Sequence, residues 1–366
     1  MRRILPLVAP LSIAGGIVSH GVYFLARQAY GFTDRQNLLL AVAVFLPYVP
    51  AALLAGPVGK RVGYRRAILA LNAICALAGL ALASTPPAAA LWILAPVYNG
   101  AAGMFWPLVE GYVAGGRQGR DLHRTIGAFN LTWSAALAPA MWIVGGLGDS
   151  MTATFGALVA LHVAVGLAAL RLDPAPPGHV EARHAPSPPS YQGLLRACRV
   201  LLPLSYMVMD ALAPLLPTVW SRAGVAPALG AALSSTWMLA RFFAFLGLFF
   251  WSGWRGRGAF LVVGTAALLA GFGLVLGVPS LGAAMIGLVI FGAGQGALYY
   301  AALYYAMAAG GDAVESGGTH EAVIGAGYLA GPMLALAGAA VGVAPVTVVG
   351  AVATGGALLA WRRARS

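Results

Sequence analysis

Charge is scarce in this 366-residue chain: Asp, Glu, Lys and Arg make up only 9% of it, against about a quarter in an ordinary soluble domain. Together with 60% hydrophobic residues and a mean hydropathy of +0.83, that excludes a water-soluble globular domain. Cysteine is nearly absent. Cys75 and Cys198 fall in or beside apolar runs, which excludes a disulfide framework, and no CxxC-type metal-ligand spacing exists. There is no phosphate-binding Gly-Lys-Ser/Thr loop, so nothing couples the chain to ATP hydrolysis. No Ser-His-Asp set or metal cluster can be assembled, and the sequence reads as a non-enzyme without a cofactor.

The charge that is present is basic, +12 net. Its arginines sit in short loops between apolar runs and not on one contiguous face, so a nucleic-acid partner is not expected. The apolar runs number twelve, at about 4–27, 37–56, 66–84, 89–114, 125–145, 151–171, 197–217, 227–250, 259–278, 281–308, 323–343 and 345–361. Runs of roughly 20 apolar residues are long enough to span a bilayer as helices. Eighteen of the 22 basic residues fall on one side of this layout, in Arg2 and Arg3, Lys60 to Arg66, Arg117 to Arg124, Arg171 to Arg199, Arg255 and Arg257, and Arg362 to Arg365. Arg27, Arg35 and Arg222 lie on the other side and Arg241 inside a span. Positive charge is retained in the cytoplasm, so both termini are expected there, in a multi-pass protein of the inner (plasma) membrane. The first run could be a signal peptide, but its match to the seventh run favours a retained helix.

That match is part of an internal repeat at a spacing of 193 residues. Pro10-Leu11-Ser12 recurs as Pro203-Leu204-Ser205, and Gly63 lands on Gly256. The Gly100-Ala101-x-Gly103 stretch lands on Ala293, Gly294 and Gly296, with Trp106 over Tyr299 and Tyr112 over Tyr305. Two parallel copies in a membrane chain are the build of a transporter whose halves rock about a central site. The expected division is a six-helix unit at 1–171, a Pro-rich cytoplasmic linker at 172–196 and a second six-helix unit at 197–366. The 310–322 segment, with Asp312, Glu315, His320 and Glu321 but no Lys or Arg, reads as a solvated polar loop, with a gate element as the alternative.

One loop carries a family signature. Between the second and third runs the chain reads Gly56-Pro-Val-Gly-Lys60-Arg61-Val-Gly63-Tyr64-Arg65-Arg66, which resembles the Gly-x-x-x-Asp-Arg-x-Gly-Arg-Arg pattern of the major facilitator superfamily. Gly56, Arg61, Gly63 and Arg65 match. Lys60 replaces the acid that helps latch the cytoplasmic side in that family, and Tyr64 replaces a base. The equivalent loop, Trp251-Ser-Gly-Trp-Arg255-Gly256-Arg257-Gly258, keeps only the glycine and the basic character. Pro96 stands near where proton-coupled drug exporters of the family carry an Arg. Their Gly-x-x-x-Gly-Pro motif is weak in the fifth run, Ala135-Ala-Leu-Ala138-Pro139, and fuller in the eleventh, Gly327-Tyr-Leu-Ala-Gly331-Pro332. The resemblance implies an all-α integral membrane fold of twelve transmembrane helices in two six-helix pseudo-symmetric bundles, with Gly56, Arg61, Gly63 and Arg65 at a cytoplasmic gate; Arg124 is assigned to that gate by its depth beside Glu110.

Three ionisable residues lie inside the runs, each costing about 2.5–3.5 kcal/mol on insertion scales and each a functional candidate for that reason: Glu110, Asp210 and Arg241. Asp210 and Arg241 both sit about 15 Å deep at 1.5 Å per residue. Equal depth on sequential helices predicts an ion pair, either locking two helices or serving transport. Glu110 lies roughly 8 Å from the cytoplasmic face, at a depth like that of Asn130 and just inside Arg124. It either forms a gate with them, exchanges a proton, or snorkels to the interface. His20 and His162 read as hydrogen-bonded core histidines. Phe105, Trp106, Tyr299, Tyr300, Tyr304 and Tyr305 cluster at matching depth in the two halves, with Tyr299 and Tyr300 deep enough to line a cavity and Tyr304 and Tyr305 at the interface.

These features point to a monomeric secondary active transporter of a small organic solute, working by alternating access in the lipid bilayer, with proton-coupled export preferred. Uptake or facilitated diffusion of a metabolite, and a non-transporting sensor or scaffold, are the alternatives.

Overall fold

The computed structural model describes residues 3–84, 87–117, 119–148, 150–178, 188–309 and 316–365. Among them the regular structure is entirely helical, in twelve rods. These are α1 (Leu5–Tyr30), α2 (Asp34–Val62), α3 (Tyr64–Ala83), α4 (Ala88–Ala114), α5 (Gly119–Gly146) and α6 (Met151–Ala169), followed by α7 (Pro189–Leu212, extended through a 3₁₀ turn and Leu216–Arg222), α8 (Pro227–Phe250), α9 (Gly258–Gly277), α10 (Leu281–Ala309), α11 (Ser316–Ala340) and α12 (Pro345–Arg365). Only helices and closed barrels satisfy every backbone polar group in hydrocarbon, which is why these apolar runs take this form. Eleven rods are long and apolar enough to cross a membrane on composition alone. The exception, α5, is 28 residues long and is diluted by Asn130, Thr132, Trp133 and Ser134, part of the polar face it turns inward. Large apolar side chains such as Leu77, Ile93 and Phe250 are 64–76% exposed on the outside, as a lipid-facing surface requires. The protein is a multi-pass membrane protein.

Helix ends depart from the apolar runs in a systematic way. Helix α2 continues through Gly56–Val62, expected as loop, and the chain turns at Gly63, whose φ of +93° only glycine adopts easily. Helix α5 begins at Gly119 and α7 at Pro189, so the last part of the expected linker is helix, with prolines at its first turn where their missing N–H costs nothing. The middle of that linker, 179–187, lies outside the described residues. Helix α11 begins at Ser316, so His320 and Glu321 belong to a helix and not to a solvated loop; Asp312 and Glu315 lie outside the described residues. A helix does not stop where its residues become polar, because its backbone hydrogen bonds must still close.

Packing repeats with a period of six helices. In the first half α1 packs on α5 and α6, α3 on α4 and α6, and α2 on α4. In the second, α7 packs on α11 and α12, α9 on α10 and α12, and α8 on α10. The two halves form two six-helix bundles. They meet along α5 against α8 and α2 against α11, two contacts that the six-helix shift exchanges.

Three helices are interrupted where they approach this interface. Helix α1 carries a π turn at Ile17–Gly21, which presents Ser19 and His20. Helix α2 breaks at Leu46-Pro47 just before Tyr48, because Pro47 has no N–H for the ladder. Helix α7 tightens at Ala213–Leu215 around Pro214. Glycines set the closest approaches. A Cβ at Gly331 would fall 2.1 Å from the Met207 carbonyl oxygen, and one at Gly327 2.4 Å from that of Pro203. The Gly-x-x-x-Gly-Pro segment of α11 is thus the surface on which α7 seats.

Candidate functional site

Between the halves lies a cavity of about 100 Å³ whose wall draws on helices of both. From α1 come Ser12, Ser19 and His20, from α2 Tyr48, and from α4 Trp106 and Glu110. Helix α5 supplies Phe129 and Trp133. The second half adds Tyr206 and Met209 of α7, Arg241 of α8, Tyr299 of α10, and Glu321 and Tyr328 of α11. The rings form a connected shell. Tyr328 stacks on Phe45 at 4.5 Å and meets Tyr206 edge-on at 5.0 Å. Tyr206 meets Tyr299, which packs on Trp133 at 5.4 Å. That chain crosses from α2 to α11 and back to α5, joining the halves through aromatic contacts worth ~0.5–1.5 kcal/mol each.

The wall is polarised. At one place Glu110 and Glu321 face each other on the wall, and Glu321 also accepts from the Tyr48 hydroxyl. Two carboxylates cannot hydrogen-bond directly, since neither has a donor, so a bond between them requires a proton on one. At another place stands Arg241, 2% exposed. Its guanidinium lies over Trp133 at 4.7 Å and Trp237 at 4.8 Å, and Nη1 reaches Gln295 Oε1 at 3.5 Å. Its Nε and Nη2 have no protein partner.

The expected pairing of Asp210 with Arg241 is not formed here. Asp210 is fully buried with neither oxygen bonded, and no ion pair joins the two among the described residues. The indoles of Trp133 and Trp237 hold the guanidinium instead. Glu110 does not snorkel and does not pair with Arg124, which is exposed; the carboxyl it faces comes from the other half. Asn130 is buried and accepts from Trp133 Nε1 at 2.8 Å, orienting that indole from behind the wall. Trp106 and Tyr299 line the cavity. Tyr300 does not: it packs against Trp254 at 5.9 Å, facing away.

The two histidines part company. His162 is the hydrogen-bonded core residue expected, with Nδ1 2.8 Å from Asn72 Oδ1 and Nε2 3.0 Å from the Tyr98 hydroxyl. His20 lines the cavity edge-on to Trp237 at 5.3 Å, with Nδ1 unbonded.

The signature loop sits on the face that carries both chain ends. Arg65 donates to the Leu172 carbonyl at 3.1 Å, and its backbone N–H to that of Pro174. Asp173 in turn pairs with Arg3 at 2.8 Å. Gly56 lies within α2 and Arg61 is exposed. These contacts stay inside the first half, so in this conformation Gly56, Arg61, Gly63 and Arg65 brace one bundle and do not bridge two. The bridging cluster is on the opposite face and was not anticipated. There Arg27 pairs with Asp34 at 3.1 Å and donates to Thr218 Oγ1 at 2.6 Å, while Thr218 also donates to Asp34. Asn37 Nδ2 bridges the Tyr23 and Pro214 carbonyls. On the termini side the halves also touch, where a Cβ at Gly318 would fall 2.8 Å from the Ala52 carbonyl oxygen.

The Major Facilitator Superfamily model matches residues 7–313, most of the chain. The protein belongs to the Major Facilitator Superfamily and is a membrane transporter of that family. Among solved structures it is similar to the nucleoside transporter NupG, with a TM-score of 0.74 at 12% identity over 100% of this chain and 98% of that one. It is also similar to a bacterial homolog of the human lysosomal transporter Spinster, in an inward-facing, unoccupied conformation, with a TM-score of 0.64 at 15% identity over 99% and 91%. At such identities these likenesses establish the fold alone. No curated protein matches the sequence.

Proposed function

We propose that this protein is a proton-coupled secondary transporter of a small organic solute, with Glu110 and Glu321 as its proton site. The observation that carries the reading is the juxtaposition of those two carboxyls, one from each half, on the wall of the cavity. Alternating access moves the halves relative to each other. It therefore makes and breaks this contact, and with it the need for the shared proton. Substrate and proton meet in one small chamber, so occupancy by one is felt by the other.

The expectation of proton-coupled export rested on the Gly-x-x-x-Gly-Pro segment and the membrane-embedded carboxylates; the segment serves α7–α11 packing, and direction is left to the sign of the coupling between solute and proton. The basic residues on the termini face support a plasma-membrane orientation with both ends in the cytoplasm. One chain builds the whole cavity, which supports action as a monomer. Sealed vesicles containing the purified protein test the proposal. Solute should accumulate when a pH gradient is imposed and should not when the gradient is collapsed; equal behaviour in both conditions rules proton coupling out.

A further inference from the structure

We propose that the transported solute is a planar organic monocarboxylate whose carboxylate docks on the free edge of Arg241. This rests on reading the cavity as the transport site, and it adds the ligand chemistry. The argument begins with what already surrounds the guanidinium. It packs against the indoles of Trp133 of α5 and Trp237 of α8, one on each side of the interface between halves. One edge is engaged by Gln295 through Nη1. The remaining edge presents Nε and Nη2, two N–H groups pointing the same way, with no protein acceptor. That fork matches the two oxygens of a carboxylate in a bidentate, coplanar pair.

Two neighbouring side chains also carry nitrogens without a bonded partner. Gln295 is fully buried with Nε2 unbonded, and His20 is 8% exposed with Nδ1 unbonded. A native interior rarely leaves such groups unsatisfied, and leaving them so is costly. Asp210, the acid expected to answer Arg241, forms no ion pair with it.

Charge and size narrow the class further. Among the described residues Arg241 is the only Lys or Arg on the cavity wall, so a dianion would leave a second charge buried without a counterion. The wall also carries the rings of Trp106, Tyr206 and Tyr299, and a chamber of about 100 Å³ admits a small flat body against them.

A matched series of probes tests this on the full-length protein purified in detergent: sodium benzoate, benzamide and benzylammonium chloride, read by thermal unfolding and by the fluorescence of the tryptophans around Arg241. Benzoate should raise the unfolding temperature and perturb the fluorescence, binding at least roughly ten-fold tighter than either probe lacking the carboxylate, as a charge-assisted bidentate contact does. Arg241→Gln should lose the benzoate response, and Gln295→Ala should weaken it. The comparison within the unmutated protein needs no variant to fold. Benzamide or benzylammonium binding as well as benzoate, benzoate binding intact in Arg241→Gln, or no response to benzoate or to a wider set of flat aromatic monocarboxylates would each overturn the proposal. Binding to detergent-solubilised protein involves no gradient, so failure of proton coupling in vesicles leaves this result standing, and the reverse also holds.

Discussion

Glu110 of α4 and Glu321 of α11 face each other across the interface between the two bundles. They come from opposite ends of the sequence, and a single proton is what lets them hydrogen-bond. When the halves part, each carboxyl faces whichever side of the membrane has opened. In the proposed cycle the same contact is a seal while it lasts and a proton exchanger when it breaks.

The Tyr48 hydroxyl donates to Glu321 in the same cluster. Tyr48→Phe removes that donor and little volume, so the expected cost is about 1 kcal/mol, the usual net value of such a bond. Thermal unfolding in detergent should show a small downward shift. No shift at all would mean that Tyr48 only packs against Tyr328.

The His162–Asn72–Tyr98 cluster is buried within the first bundle and away from the cavity. His162→Ala leaves both partners unsatisfied and should destabilise by about 2–3 kcal/mol. Solute affinity of the protein that folds should be unchanged. A change in affinity at unchanged stability would contradict a structural role.

On the face away from the chain ends, Asp34 holds both Arg27 and Thr218. Asp34→Asn weakens this tie between α1, α2 and α7 and should raise the fraction of molecules open on that side. In a Ser19→Cys background a membrane-impermeant maleimide should label the cavity several times faster from that face; Cys75 and Cys198 are buried and contribute little. Labelling at an unchanged rate would show that the latch lies elsewhere.

Gly292 lets α10 lie directly on α8: a Cβ there would fall 2.1 Å from the Trp237 carbonyl oxygen. Gly292→Ala must push apart the helices that position Arg241 and Gln295, at a cost of about 1–3 kcal/mol. Gly273→Ala, where nothing lies within 4 Å, should be neutral or mildly stabilising. Unfolding temperatures in the reverse order would contradict this packing.

The layout was legible in the sequence because a bilayer leaves the backbone few options. Apolar runs become helices, and the 193-residue repeat reappears as helix contacts shifted by six. Trp106, Tyr299, Glu110 and Arg241 were findable as polar or aromatic residues inside apolar runs. Glu321 was not, since it follows a stretch rich in Gly and polar residues that reads as a loop, and only the inward start of α11 buries it. Its acidity with no nearby Lys or Arg was the available signal. The Asp210–Arg241 pair failed for a different reason. Depth along two helices says nothing of azimuth, and the competing indoles of Trp133 and Trp237 are visible only in three dimensions. Arg124 failed likewise: it is near Glu110 in depth but points outward.

The most direct test of the proton site is solute transport in vesicles by Glu110→Gln and Glu321→Gln. An amide can donate where a protonated carboxyl does, so each variant should fold and keep the closed contact without needing the shared proton. The account predicts that both variants exchange solute down its gradient and that neither accumulates it when a pH gradient is imposed. Uphill accumulation at the parent's level in either variant would contradict it.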